Sequence, residues 1–244
     1  MSINRLIIQK IDKKLNSISE NIEIINHRIH QAANKSGTDL EKIKLIAVSK
    51  TKPISAILEA LEAGQVHFGE NRMQELQTKM SAIEHPAIQW HMIGAMQTNK
   101  IKHIASQVHW IHSVGKAKYL NEINKRVEQS NRNINLLIQV NISGEDQKSG
   151  CEPTELEGIL ETARNFNNIT IRGLMGMARY TYNPEDVRGE FALLKNTFED
   201  HINLNGENIQ LSELSMGMSN DFEVAIEEGA TMVRIGSAIF GARN

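Results

Sequence analysis

One cysteine, Cys151, stands among 244 residues, so no intrachain disulfide can form. Stability has to come from a buried core. A chain of this length can bury roughly 70% of its unfolded surface, which is enough without staples. A lone thiol also suits a reducing compartment. Charge of one sign is lacking as well, since the formal net charge is −2. The strongly basic balance of a general nucleic-acid binder is absent. No run of about 18 uncharged apolar residues occurs, and no membrane span is expected. Residues 1–15 carry Arg5, Lys10, Asp12, Lys13 and Lys14, which break any secretory apolar region. The expected location is therefore the cytoplasm. No low-complexity tract or Pro/Gly/Ser linker divides the chain, so residues 1–244 are read as a single domain. The GxGxxG of a dinucleotide fold and the GxSxG of a serine hydrolase are both missing. His109 and His112 lie three apart on an expected strand, face opposite sides and cannot share a metal.

Two kinds of apolar pattern are present. Ile11, Leu15, Ile18, Ile22, Ile25 and Ile29 step by four and three, which predicts a helical segment over residues 1–36 that ends at Gly37. This stripe is too short for a coiled coil of three to four heptads and is read as packing on its own domain. After Glu41, short apolar runs alternate with helical stretches. The runs are Leu45–Val48, Val66–Phe68, Ile88–Ile93, Val108–Ile111, Leu136–Ile142, Ile169–Met175, Leu211–Leu214 and Met232–Ile235. Pro153 and Pro184 sit where first helical turns would begin. Asn220 with Glu223 resembles a capping box. Strands alternating with helices imply right-handed βαβ units and a parallel sheet. Eight units in this length favour an α/β architecture, a single (β/α)8 TIM-type barrel with an extra N-terminal helix.

Barrel sites lie at the C-terminal ends of the strands, and phosphate commonly binds after strands seven and eight. Here those loops read Ser215-Met216-Gly217-Met218-Ser219 and Gly236-Ser237. Small residues and free backbone N–H groups suit an anion, and Ser219 and Ser237 could each add a hydroxyl donor. Lys50 ends the run Leu45-Ile46-Ala47-Val48, where its side chain should enter the barrel mouth. A desolvated lysine becomes a nucleophile towards carbonyls. Beside a phosphate site, such a lysine suggests a phosphorylated sugar substrate or pyridoxal phosphate, whereas a surface lysine at a strand end is the plainer reading. Arg234 lies inside an apolar strand and needs an acceptor there. A pyridine nitrogen, a phosphate, or an internal ion pair with a glutamate such as Glu213 would each serve.

These residues, taken with LIAVSKTKP at 45–53, FGENRMQE at 68–75 and WHMIGAMQTNK at 90–100, resemble a known family. VNISGEDQKSGC at 140–151, GLMGM at 173–177, LSMGMSNDFEVAI at 214–226 and VRIGSAIFG at 233–241 extend the likeness over about residues 26–241. The sequence is similar to the pyridoxal phosphate homeostasis proteins, whose fold is like the N-terminal barrel of alanine racemase. The resemblance implies a covalent Schiff base to pyridoxal 5′-phosphate on Lys50. It places Ser219, Gly236 and Ser237 on the phosphate and Arg234 opposite the pyridine nitrogen. It puts Asn71 and His91 in motifs that line the cofactor pocket. Arg72, Gly115, Ala178 and Arg179 depart from the usual pattern at loops around the pocket.

The resemblance implies a carrier or buffer of the cofactor without turnover. An arginine cannot accept a hydrogen bond from a protonated pyridine nitrogen, so it favours the unprotonated ring, a weaker electron sink. Racemases of this type bring a second, β-rich domain that supplies an opposed base, and none is expected here. Apo pyridoxal phosphate enzymes are the expected recipients, with no nucleic acid and no membrane as partners, and the barrel is expected to be a monomer. The alternatives are a small pyridoxal phosphate enzyme such as an amino-acid racemase, a Schiff-base aldolase, and an interaction role for the N-terminal helix.

Overall fold

In a parallel barrel each strand is covered on both faces, by the lumen and by the helical shell, so its sequence reads as a continuous apolar run. The computed structural model describes residues 16–102, 104–145 and 149–241. Its strands are β1 (Lys44–Val48), β2 (His67–Glu70), β3 (Gln89–Met92), β4 (Trp110–Val114), β5 (Ile134–Gln139), β6 (Ile169–Met175), β7 (Ile209–Ser215) and β8 (Met232–Ile235). They close in sequence order into a barrel, with β8 pairing back onto β1, Ile46 opposite Arg234. After α1 (Ile18–Ser36), the helices α2 (Ile54–Glu62), α3 (Met73–Ala82), α4 (Thr98–Ile101), α5 (Ala117–Glu128), α6 (Leu156–Ala163), α7 (Arg188–His201), α8 (Phe222–Glu227) and α9 (Ser237–Phe240) each follow a strand. This is the (β/α)8 barrel with an added N-terminal helix that the pattern predicts.

Successive side chains on each strand alternate between shell and lumen. Leu45 and Ala47 join the core against the helices, while Ile46 joins Trp110, Leu137, Met175 and Met232 in a separate lumen cluster. Val233 and Ile235 face the shell, so Arg234 between them is committed to the lumen.

Several expected boundaries shift. The fourth run was expected at Val108–Ile111, but β4 spans Trp110–Val114 and includes buried His112 and Ser113. Its lumen-facing polar residues hide it from a reading of apolar runs. The fifth was expected to reach Ile142, but β5 ends at Gln139 and Val140 makes only an isolated bridge to Cys151. The second starts one residue late and runs on to Glu70. The Asn220–Glu223 capping box does not form. Asp221 is the cap residue of α8, and its carboxylate accepts from Met218 N at 2.6 Å.

The N-terminal helix packs on its own barrel. Ser17 and Glu20 form a reciprocal capping box, and Gly37 ends the helix with its N–H on Ala33 O. Ile22, Ile25, Ile29, Ala32 and Ala33 are buried. Burying such isoleucines contributes about 1.5–3 kcal/mol each. Arg28 pairs with Glu223 at 2.7 Å, and Lys35 with Glu227 at 2.6 Å, so α1 grips α8. The stripe a coiled coil would need is spent on this contact. Ile11 and Leu15 lie outside the described residues.

Candidate functional site

A cavity of about 650 Å³ opens at the C-terminal ends of the strands. Lys50, Asn71, Ser219, Arg234, Gly236 and Ser237 all line it, from the loops after β1, β2, β7 and β8 and from β8 itself. Six of the seven residues singled out in the sequence are thereby brought together.

Lys50 follows β1 and is half-buried. Thr51, next in the chain, adopts φ 64°, a left-handed conformation that costs a β-branched residue energy. The surrounding structure holds it there. Thr51 N donates to Glu75 Oε1 at 2.5 Å, and Lys52 N to Ser49 O at 3.0 Å. Behind this turn lies a buried polar knot. Lys79 Nζ donates to Ser49 O at 2.8 Å, and to Glu70 Oε1 and Glu75 Oε1 at 2.6 Å each. Ser49 Oγ donates to the same Glu70 oxygen at 2.7 Å. Burial pushes the Glu70 carboxyl above its ordinary range, while Lys79 and Ser49 pull it back. Helix α3 therefore clamps the backbone that presents Lys50.

Arg234 is buried, and donates from Nη1 to Ser215 Oγ at 2.7 Å and from Nη2 to Gly176 O at 3.0 Å. Burial lowers its pKa to about 10, with the charge of Asp221 opposing. It remains a cation at neutral pH. The suggested ion pair with Glu213 is not made. Glu213 Oε1 instead receives Lys44 Nζ at 2.7 Å, and Oε2 receives the Thr231 hydroxyl at 2.8 Å.

The two small-residue loops meet. Ser237 Oγ lies 3.3 Å from Ser219 Oγ. Ser237 N–H and Ala238 N–H belong to the first turn of α9, where backbone donors have no partner within the helix. Gly217 makes the first loop possible. It sits at φ 87°, and a Cβ there would come within 2.6 Å of Ala225 Cβ. Arg234 N donates to Gly217 O at 3.0 Å and ties the loop to β8. Asn71 is set by a close approach from Gly94, where a Cβ would lie 2.1 Å from Asn71 O. Its own Oδ1 is buried and lacks a hydrogen-bond partner among the described residues. A donor on a bound molecule would satisfy it.

His91 departs from expectation. It is fully buried in β3, does not line the cavity, and bonds to His67 at 3.0 Å and His112 at 2.9 Å. Strand parity explains this, since His91 faces the lumen one layer below the mouth. Sequence reasoning did not single out Asp221, Tyr180 or Thr181, which also stand on the cavity wall. Ala178 and Arg179, two of the departures from the family pattern, lie on the same wall.

Lys50, a buried arginine and two serines thus line the mouth of one closed eight-stranded barrel, an architecture of the alanine racemase N-terminal type. The family model described as "Alanine racemase, N-terminal domain" matches residues 16–244. The chain is 40% identical over 230 residues to the pyridoxal phosphate homeostasis protein of Pseudomonas aeruginosa, covering 94% of this chain and 97% of that one. It is 41% identical to the Aquifex aeolicus protein of the same name, over 92% and 97% of the two chains. The structure of PipY from Synechococcus elongatus with pyridoxal phosphate bound superposes with a TM-score of 0.78 at 31% identity, covering 92% of this chain and all of that one. The chain belongs to the pyridoxal phosphate homeostasis protein family.

Proposed function

We propose that this protein binds pyridoxal 5′-phosphate at the barrel mouth and acts in its homeostasis as a carrier or buffer. The observation that carries the reading is the convergence of Lys50, Arg234, Ser219 and Ser237 on one cavity. Lys50 supplies the amine for a covalent Schiff base. Ser219, Ser237 and the N–H groups after Gly236 bind the phosphate, because hydroxyl and amide donors satisfy its oxygens. Arg234 offers only donors and suits an unprotonated ring nitrogen. Asn71 Oδ1, without a donor among the described residues, would take a hydroxyl of the ligand. When bound, the cofactor supplies a reactive aldehyde and an electron-withdrawing ring. The protein's residues hold that aldehyde reversibly and shield it from other amines.

The carrier reading extends to a cytoplasmic monomer that releases the cofactor to apo pyridoxal phosphate enzymes and does not turn over an amino acid. Membership of a family named for homeostasis supports it. Among the described residues, no helix is long and apolar enough to cross a membrane. The packing of α1 on α8 leaves its apolar stripe unavailable to a second copy.

Purified protein loaded with cofactor and reduced with borohydride is expected to carry one phosphopyridoxyl group on Lys50 by peptide mass spectrometry. An adduct on another lysine, or none, would overturn the site. Deuterium exchange at Cα of amino acids at an ordinary enzymatic rate, about 1–10³ s⁻¹, would favour the racemase alternative.

A further inference from the structure

A hydrogen-bonded chain runs down the lumen from Arg234. Arg234 Nη1 meets Ser215 Oγ at 2.7 Å, and Ser215 Oγ meets His112 Nδ1 at 3.0 Å. His112 Nε2 meets His91 Nδ1 at 2.9 Å, and His91 Nε2 meets His67 Nδ1 at 3.0 Å. Ser215, His112 and His91 are fully buried, and His67 at the far end is half-buried. Four strands, β2, β3, β4 and β7, contribute one link each.

The direction of this chain follows from the chemistry of its first member. A guanidinium donates and never accepts, so Ser215 Oγ is the acceptor towards Arg234. The serine's own hydrogen then needs a partner, and His112 Nδ1 is the acceptor within reach. A stranded hydroxyl hydrogen in a buried site costs about 1–3 kcal/mol. A neutral imidazole has one donor and one acceptor nitrogen. His112 must therefore carry its hydrogen on Nε2 and donate to His91 Nδ1, and His91 must do the same towards His67. The opposite order would direct His112 Nδ1–H onto an oxygen already accepting from Arg234 and strand the serine hydrogen. Burial keeps His91 and His112 well below the ordinary histidine pKa, which agrees with neutral rings.

We propose that Ser215, His112, His91 and His67 form a polarised relay that positions Arg234 and, through it, the cofactor ring. Every lone pair in the relay is turned towards the guanidinium, and every hydrogen away from it. In a low-dielectric lumen such aligned bonds strengthen one another. The relay thus offsets the burial of a cation with neutral dipoles, alongside the charge of Asp221. It also links the ring position to the barrel floor, where Lys44, Glu213 and His109 act on His67. These four are positioning residues, since none of them lines the cavity.

The tautomer prediction stands without the cofactor, whereas the effect on the ring rests on the function proposed above. Long-range ¹⁵N–¹H correlation on the cofactor-free full-length protein, near pH 8, reads the tautomers directly. His112, His91 and His67 are expected as neutral Nε2–H rings. An Nδ1–H tautomer at His112 or His91, or an averaged mixture, overturns the relay whatever the ligand is. For the loaded protein, Ser215→Ala is expected to shift the visible absorption band and weaken cofactor retention about tenfold. Ser215→Thr should restore both, and His67→Gln should move the band in the same direction by less. A Ser215→Ala protein that loses thermal stability but keeps the wild-type band and retention would reduce the chain to a structural role. If Ser215→Ala does not fold, the wild-type tautomers and the half-exposed His67→Gln variant decide the matter.

Discussion

Lys79 Nζ donates to the backbone carbonyl of Ser49 at 2.8 Å, one residue before Lys50. A helix-borne lysine is thus bonded to the strand end that presents Lys50. Its ion pair with Glu70, at 2.6 Å, has side-chain exposures of 5% and 0%. Removing one partner of a buried pair leaves the other charge stranded, at a cost of about 3–5 kcal/mol. Lys79→Met is therefore expected to lower the urea midpoint sharply. Lys79→Met with Glu70→Gln should recover a large part of the loss. Equal stabilities for the single and double variants would contradict the coupling.

Gly217 occupies φ 87° with Ala225 and Phe222 against its α-carbon. Gly217→Ala is expected to cost at least about 1–2 kcal/mol for the left-handed backbone alone. Displacement of the Ser219 loop should also weaken phosphate binding. Thermal melts with and without added inorganic phosphate check both effects. An unchanged melting temperature would show that the loop has another conformation available.

Ser219 and Ser237 hold their hydroxyl oxygens 3.3 Å apart from separate loops. A hydrogen bond to a charged group contributes about 1.5–3 kcal/mol. Ser219→Ala and Ser237→Ala are each expected to weaken the cofactor about ten- to hundredfold. Both lie at the cavity mouth, so the unloaded protein should melt near the wild-type temperature. Titration of each variant with pyridoxal phosphate measures the first effect, and unchanged affinity in both would remove the cradle from the site.

Acidification should destabilise the fold through its lumen. Burial holds His91 and His112 neutral, with pKa values well below the ordinary 6.5. Below that value the unfolded chain takes up protons that the folded chain refuses. Stability is then lost as pH falls from about 6.5 towards the folded-state pKa values, by up to about 1.4 kcal/mol per pH unit per histidine. Glu70 works in the other sense, because its raised pKa makes the folded state hold its proton more tightly at pH values just above the ordinary range. Urea midpoints at pH 8, 6.5 and 5.5 should decline. His112→Asn should flatten the decline, and a flat wild-type profile would show that these rings already accept protons in the fold.

Part of this protein is determined locally. Mostly apolar runs such as Ile169–Met175 and Met232–Ile235 are strands because their apolar side chains are buried in the barrel, and their bounds were legible without coordinates. The capped amphipathic stripe of α1, the small-residue loops after β7 and β8, and Lys50 at a strand end were equally legible. Each depends on residue type and spacing along a single element. What neighbouring strands do to one another was not. Whether Arg234 meets Glu213 or Ser215, and whether His91 lines the cavity or lies beneath it, is decided by inter-strand register and side-chain layering. The same holds for the Lys79 knot behind Lys50 and for the histidine chain, whose links come from strands far apart in sequence. A buried polar group takes whatever partner the closed barrel brings within about 3 Å, and only the closure of β8 onto β1 sets which partners those are.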